Sequence, residues 1–307
     1  MPDFANKTIR SWDDFYKSVV EQNSGDRRWI YRGQTKDWEL RTTIERTLNN
    51  WEIDLKDATS IEFQTIREFR RRMREPQHHR VHSDTLFCVA LMQHHGAPTR
   101  LLDCTYSPFA AAAFAMENGY VCTKTPPVIW CFRGDWFEDE LKESADPDLL
   151  KLLELRNEDS KRNDGTFISL YQIGDASTAS DKRRFVKPEN PLHLNERLTT
   201  QQGVFLCPGN LGDTFVDNLR AMPDWDSERN IVKLSLSLTK KEAIEFVRHL
   251  KNMNLGFAAL FPGLEGFARS IGQQIFHYQK LAGDRAGLPQ KRTSGRPIGF
   301  IQEGRTK

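Results

Sequence analysis

The chain has 307 residues, 38% hydrophobic and 28% charged, enough to bury a sizeable core as one large domain or a main domain with a smaller lobe. Its 44 Lys and Arg against 42 Asp and Glu leave a formal net charge of +2, so no global field demands nucleic acid or a membrane surface. No run approaches the roughly 20 apolar residues that cross a bilayer, the first residues lack the apolar segment of a signal peptide, and the five cysteines are irregularly spaced with no CxxC. A reduced cytoplasm is expected, without membrane contact, zinc site or disulfide framework.

In chain order, Ser11 can cap a helix with Asp13 and Asp14 in its first turn and Trp12, Phe15 and Val19 on one face. Trp29-Ile30-Tyr31 predicts a short buried strand that delivers Arg32-Gly33-Gln34 at its end. Residues 51–75 predict one long amphipathic helix, and Leu86–His94 another, begun by Ser83 and Asp84 and ended by Gly96 in the left-handed region. Ser107-Pro108 is a strong helix start, and the alanine-rich run behind it predicts close packing. Val128–Phe132 is the best strand, Trp136–Leu155 is helical, and 157–190 is polar and poorly periodic. Structure resumes near Leu192. Gly203–Leu206 and Ile231–Leu236 predict strands, and Thr239–Leu250 and Gly263–Leu281 predict helices. Helices separate strands without a regular βαβ rhythm, so the expected fold class is α+β, a mixed sheet with several flanking helices.

The densest chemistry lies in Gln93-His94-His95-Gly96-Ala97-Pro98-Thr99-Arg100-Leu101-Leu102-Asp103, closing into Ser107-Pro108-Phe109 and read as a helix end, a short turn and the start of another helix. Together with Tyr31-Arg32-Gly33-Gln34 and Ser107-Pro108-Phe109, this run resembles the FRG domain, named for its Phe/Tyr-Arg-Gly motif and common in bacteria and their mobile elements. The resemblance covers residues 28–117, with Gln201–Phe205 and Leu260–Leu264 similar to weaker downstream motifs; Cys104 stands where the family usually has tryptophan. The expected organisation is a single domain of this type over 1–282; the polar, poorly periodic 157–190 reads as a flexible insertion, and 283–307, rich in Gly, Pro, Arg and Lys, as a disordered basic tail. A role as a defence or toxin-like effector is the further implication. The order of motifs, an arginine ending an early strand, a central polar motif and a late acid, is similar to that of ADP-ribosyltransferases.

On this reading Arg32, His94, His95 and Glu265 are the candidate catalytic residues, and Tyr31, Gly33, Gln34, Thr99, Arg100, Asp103 and Gln202 the candidate ligand-binding ones. Arg32 can fork onto phosphate while Gly33 lets backbone approach the ligand; equally, Arg32 can pair with Asp103 as a clamp. Arg100 either pairs with Asp103 or holds a phosphate that Asp103 helps orient. Adjacent histidines point about 100° apart on a helix and make a poor metal pair, so no metal is expected. One of them can act as a base or contact a ribose; either can instead interact with the helix C-terminus. Glu265 can stabilise an oxocarbenium-like transition state or serve the dipole of a following helix. The expected activity is binding of a nucleotide, with NAD as candidate substrate, and transfer or cleavage at its ribose. The alternative is a sensing module without turnover that tracks nucleic acid through Arg67, Arg70, Arg71, Arg72 and Arg74.

Overall fold

A computed structural model describes residues 4–25, 28–73, 79–117, 125–144, 147–158, 164–174, 183–191, 196–264, 266–268 and 270–271. The first half contains β1 (Ala5–Ile9), α1 (Trp12–Gln22), β2 (Trp29–Gln34), α2 (Thr43–Asn50), α3 (Ala58–Arg72), α4 (His79–Ser83), α5 (Thr85–His94), β3 (Leu102–Thr105) and α6 (Pro108–Ala115). It continues with β4 (Val128–Arg133), α7 (Gly134–Ser144), α8 (Pro147–Glu158), α9 (Asp164–Leu170), β5 (Val186–Glu189) and α10 (Glu196–Thr200). The last described elements are β6 (Gly203–Pro208), α11 (Phe215–Arg220), β7 (Ile231–Leu236), α12 (Lys240–Asn252) and α13 (Phe257–Leu260). The fold class is α+β, as the irregular alternation predicts.

Among the described residues, seven strands form one mixed sheet in the order β1-β7-β4-β2-β3-β6-β5. Of the pairings among the described residues, β1–β7 is parallel and the other five are antiparallel. Side chains alternate across the central strands, because successive Cβ atoms of a strand point to opposite faces. Trp29 and Tyr31 of β2 and Ile129 and Cys131 of β4 share a core with residues of α1, α6, α12 and α13. Ile30, Trp130 and Phe132 point the other way, into a core built with α3, α5, α7, α9 and α11. Helices thus pack against both faces of the sheet.

Local chemistry explains the helix boundaries. Ser107 accepts from the Ala110 N–H and Pro108 sits in the first turn of α6. α5 ends in a Schellman turn: the Ala97 N–H donates to the Met92 carbonyl and the Gly96 N–H to that of Gln93, with Gly96 at φ +82°. The alanine run packs as expected, and Gly33 shows why: a methyl there would fall 1.9 Å from the Ala111 carbonyl oxygen. The absent side chain of Gly33 is therefore used by α6 lying on β2.

Several elements depart from the sequence expectation. The helix predicted over 51–75 is α3 alone, preceded by a 3-10 turn at Leu55–Asp57 that Asp54 caps; α2 starts earlier, from the capping box of Thr42 and Glu45. Trp136–Leu155 is two helices, the second starting at Pro147. The stretch 157–190 supplies α9 and the edge strand β5, because Phe167, Leu170, Tyr171, Phe185 and Val186 are enough to bury against a sheet already formed. Arg32-Gly33-Gln34 lies inside β2 rather than after it, paired with Trp130, Ile129 and Val128. The restart near Leu192, the predicted helix beyond Ile271 and the tail from Gly283 lie outside the described residues.

Candidate functional site

β2 pairs with β4 over all six residues but with β3 at a single position, Tyr31 opposite Thr105. Beyond that bridge β3 stays with β6 along its whole length. The sheet therefore parts in its middle, and a cavity of about 280 Å³ opens between β2 and β3, near the lower end of the roughly 300–1,000 Å³ usual for small-molecule sites. β2 contributes Tyr31, Arg32, Gly33 and Gln34 to its wall, and β3 contributes Asp103, Cys104 and Thr105. Thr35, Trp38, Arg46, Phe114, Glu117, Arg197, Leu198, Gln201 and Phe261 complete it.

Arg32 spans the gap. Its Nη1 donates to the main-chain carbonyl of Asp103 at 2.5 Å, and its Nε is buried with no hydrogen-bond partner among the described residues. Arg46 and Arg197 converge on the same space. Arg197 is fixed over the Phe261 ring, 4.6 Å from its centroid. Partial desolvation, then the like charge of Arg32, pull the Arg46 guanidinium below its ordinary value, while Asp103 opposes them. Among the described residues no acid forms an ion pair with any of these three arginines. Three guanidinium groups thus face a wall holding two carboxylates, Asp103 and Glu117.

Asp103 is held from behind. The hydroxyls of Thr43 and Thr99 lie 2.9 and 2.5 Å from Gln93 Oε1, so the amide turns its nitrogen toward Asp103 and donates to Oδ2 at 2.8 Å and to the Leu101 carbonyl at 3.2 Å. Two further amides are oriented in opposite senses. Trp130 Nε1 donates to Gln34 Oε1 at 3.0 Å, leaving the Gln34 amino group for the cleft. Gln201 Nε2 donates to the Leu260 carbonyl at 2.9 Å, leaving its oxygen.

The sequence-predicted residues divide sharply. Tyr31, Arg32, Gly33, Gln34 and Asp103 meet at the cleft. Tyr31 is buried, its hydroxyl accepts from Asn23, and burial pushes its phenol up. Thr99 is buried one layer behind, acting on Asp103 through Gln93. Arg100 does not reach the cleft. It is 1% exposed, locked in a two-pronged pair with the equally buried Glu62 (Nε to Oε1 2.7 Å) and placed 5.5 Å over Tyr171, so neither its expected pairing with Asp103 nor a phosphate contact occurs. His94 and His95 are exposed at the end of α5, their rings edge to face at 5.0 Å, and neither lines the cavity. Gln202 sits at φ +50° facing solvent, and its neighbour Gln201 takes the wall position. Glu265 lies outside the described residues. Of the basic cluster, Arg70 donates to Val81 and Thr85, Arg71 and Arg72 pair with Glu68, Arg67 is exposed and Arg74 lies outside the described residues.

Sequence reasoning missed Arg46 and Arg197, and of the Gln201-Gln202 pair it chose the wrong member. Arg46 rides on α2, a helix whose capping box was the available signal. Cys104 is a buried lining group, and burial pushes its thiol up to about 12, which disfavours the thiolate form.

A family profile for the FRG domain matches residues 27–121. The chain carries an FRG domain. No curated protein and no solved structure matches the chain. The FRG segment supplies both strands of the cleft, Arg46 and the Gln93 support, whereas Arg197, Gln201 and Phe261 close it from the sequence that follows. A second cavity, about 220 Å³ between α6, α12 and α13, holds none of the FRG motif residues. No described helix is long and apolar enough to cross a membrane.

Proposed function

We propose that the FRG domain binds a phosphorylated small molecule of the nucleotide class in the cleft between β2 and β3. The observation that carries this is the convergence of Arg32, Arg46 and Arg197, none in an ion pair among the described residues, on one concave site. Three guanidinium groups beside two carboxylates leave the wall with an excess of positive charge, which a phosphate can neutralise while filling forked N–H donors. Trp38, Phe114 and Phe261 give the same wall an apolar part on which a base can lie. NAD belongs to this ligand class. Transfer or cleavage at its ribose, the chemistry of an ADP-ribosyltransferase-like or NAD-cleaving effector, would use a cleft carboxylate to stabilise developing oxocarbenium charge. The oriented carboxylate available for that is Asp103.

Calorimetric titration with ATP, NAD and inorganic phosphate tests the binding, and mass spectrometry of the NAD incubation tests turnover. Arg32→Ala and Arg46→Ala are each expected to weaken binding by roughly 10-fold or more, the size of a lost charge-assisted contact. Undetectable binding, or binding indifferent to both substitutions, would overturn the proposal.

A further inference from the structure

We infer that Asp103 reads a sugar hydroxyl, so that the cleft selects ribose phosphates over their 2-deoxy counterparts. This rests on the phosphate reading above. Asp103 stands in a cleft with three arginines, yet among the described residues it pairs with none of them: Arg32 donates to its main-chain oxygen and leaves the carboxylate alone. Oδ2 is occupied by Gln93, whose amide polarity is set by the hydroxyls of Thr43 and Thr99. Oδ1 has no hydrogen-bond partner among the described residues, and the side chain is exposed at the cleft.

The group that meets Oδ1 must be a donor, because a second phosphate oxygen there would repel it. It must also belong to a ligand whose anion lies on Arg32, which is tied to the same residue. A sugar phosphate supplies both, a phosphate and a hydroxyl a few bonds apart, and a carboxylate is the usual acceptor for a ribose hydroxyl. Gln93 acts through Asp103 and is a positioning residue.

NMR titration of the full chain with ribose 5-phosphate, 2-deoxyribose 5-phosphate and inorganic phosphate separates these roles. The wild type is expected to bind the ribose compound roughly 10-fold tighter than the deoxy compound, the value of one hydrogen bond to a charged group. In Asp103→Asn that ratio falls to about 1 while inorganic phosphate still binds, which also reports an intact fold. Gln93→Leu reduces the ratio without abolishing phosphate binding. Equal affinity for both sugars in the wild type, or a ratio unchanged in Asp103→Asn, would overturn the inference and leave the phosphate site standing. Failure of all three compounds to bind the wild type would overturn the phosphate site itself.

Discussion

Arg32 and Arg100 both belong to the motif that marks this chain, and their surroundings assign them opposite work. Arg100 is sealed against Glu62 with both side chains 1% exposed. Removing one partner leaves an uncompensated buried charge, so Arg100→Met or Glu62→Gln is expected to cost about 3–5 kcal/mol in urea unfolding. Replacing both by methionine is expected to recover most of that loss; a double variant as unstable as the sum of the singles would contradict the assignment. Arg32 faces the cleft, and its substitution should act on ligand affinity far more than on stability. Nothing local in the sequence separates the two, because the acid that captures Arg100 lies on α3, 38 residues upstream. Gln201 and Gln202 illustrate the same limit: one peptide of rotation decides which side chain faces the wall. Glu45 offers a pH-dependent check. Burial raises its carboxyl above the ordinary value, against the opposing N–H groups of Thr42 and Phe215. The folded chain therefore keeps that proton longer, and the associated stability, present below an unfolded value of about 4.3, is lost as pH rises toward the folded value. Relative to wild type, Glu45→Gln is expected to gain stability as pH rises from about 4; a flat or falling difference in urea midpoints would refute this.

At the scale of elements, two glycines separate packing from backbone geometry. Gly33 faces α6, where an added methyl meets the Ala111 carbonyl at 1.9 Å and the Ala115 nitrogen at 2.7 Å. Gly33→Ala is expected to cost at least about 1–3 kcal/mol through overpacking. At Gly96 an added methyl would meet nothing within 4 Å, but the backbone sits at φ +82°, so Gly96→Ala should cost only about 1 kcal/mol, from conformation alone. Equal losses on thermal or urea unfolding would contradict this division. Elements also differ in how legible they are in the sequence. β2, β4, β6 and β7 carry apolar runs or alternation that a sequence reader can recognise, and Ser107-Pro108 marks α6 plainly. β1, β3 and β5 are four or five residues long, and β1 exposes its Asn-Lys-Thr centre, so pairing with a neighbour decides their state. The parting of β2 from β3, which makes the cleft, is a property of pairing and has no sequence signature.

For the molecule as a whole, a net charge of +2 spread over 307 residues supplies little long-range attraction. The proposed anion binding would have to come from the local arginine cluster, with salt acting mainly by screening it over about 10 Å at 0.1 M. The cluster is composite. Arg32 and Arg46 come from the FRG segment and Arg197 from the chain after it, so the site exists only once the sheet has brought β2, β3 and the approach to β6 together. The most direct test follows the arginine Nε–H resonances of the intact protein by NMR while ATP is added, with each signal assigned by single Arg→Lys variants. The signals of Arg32, Arg46 and Arg197 are expected to move together and saturate at one concentration, while Arg100, held by Glu62, stays still. Movement confined to other arginines, such as Arg248 in the second cavity, would contradict the placement of the site.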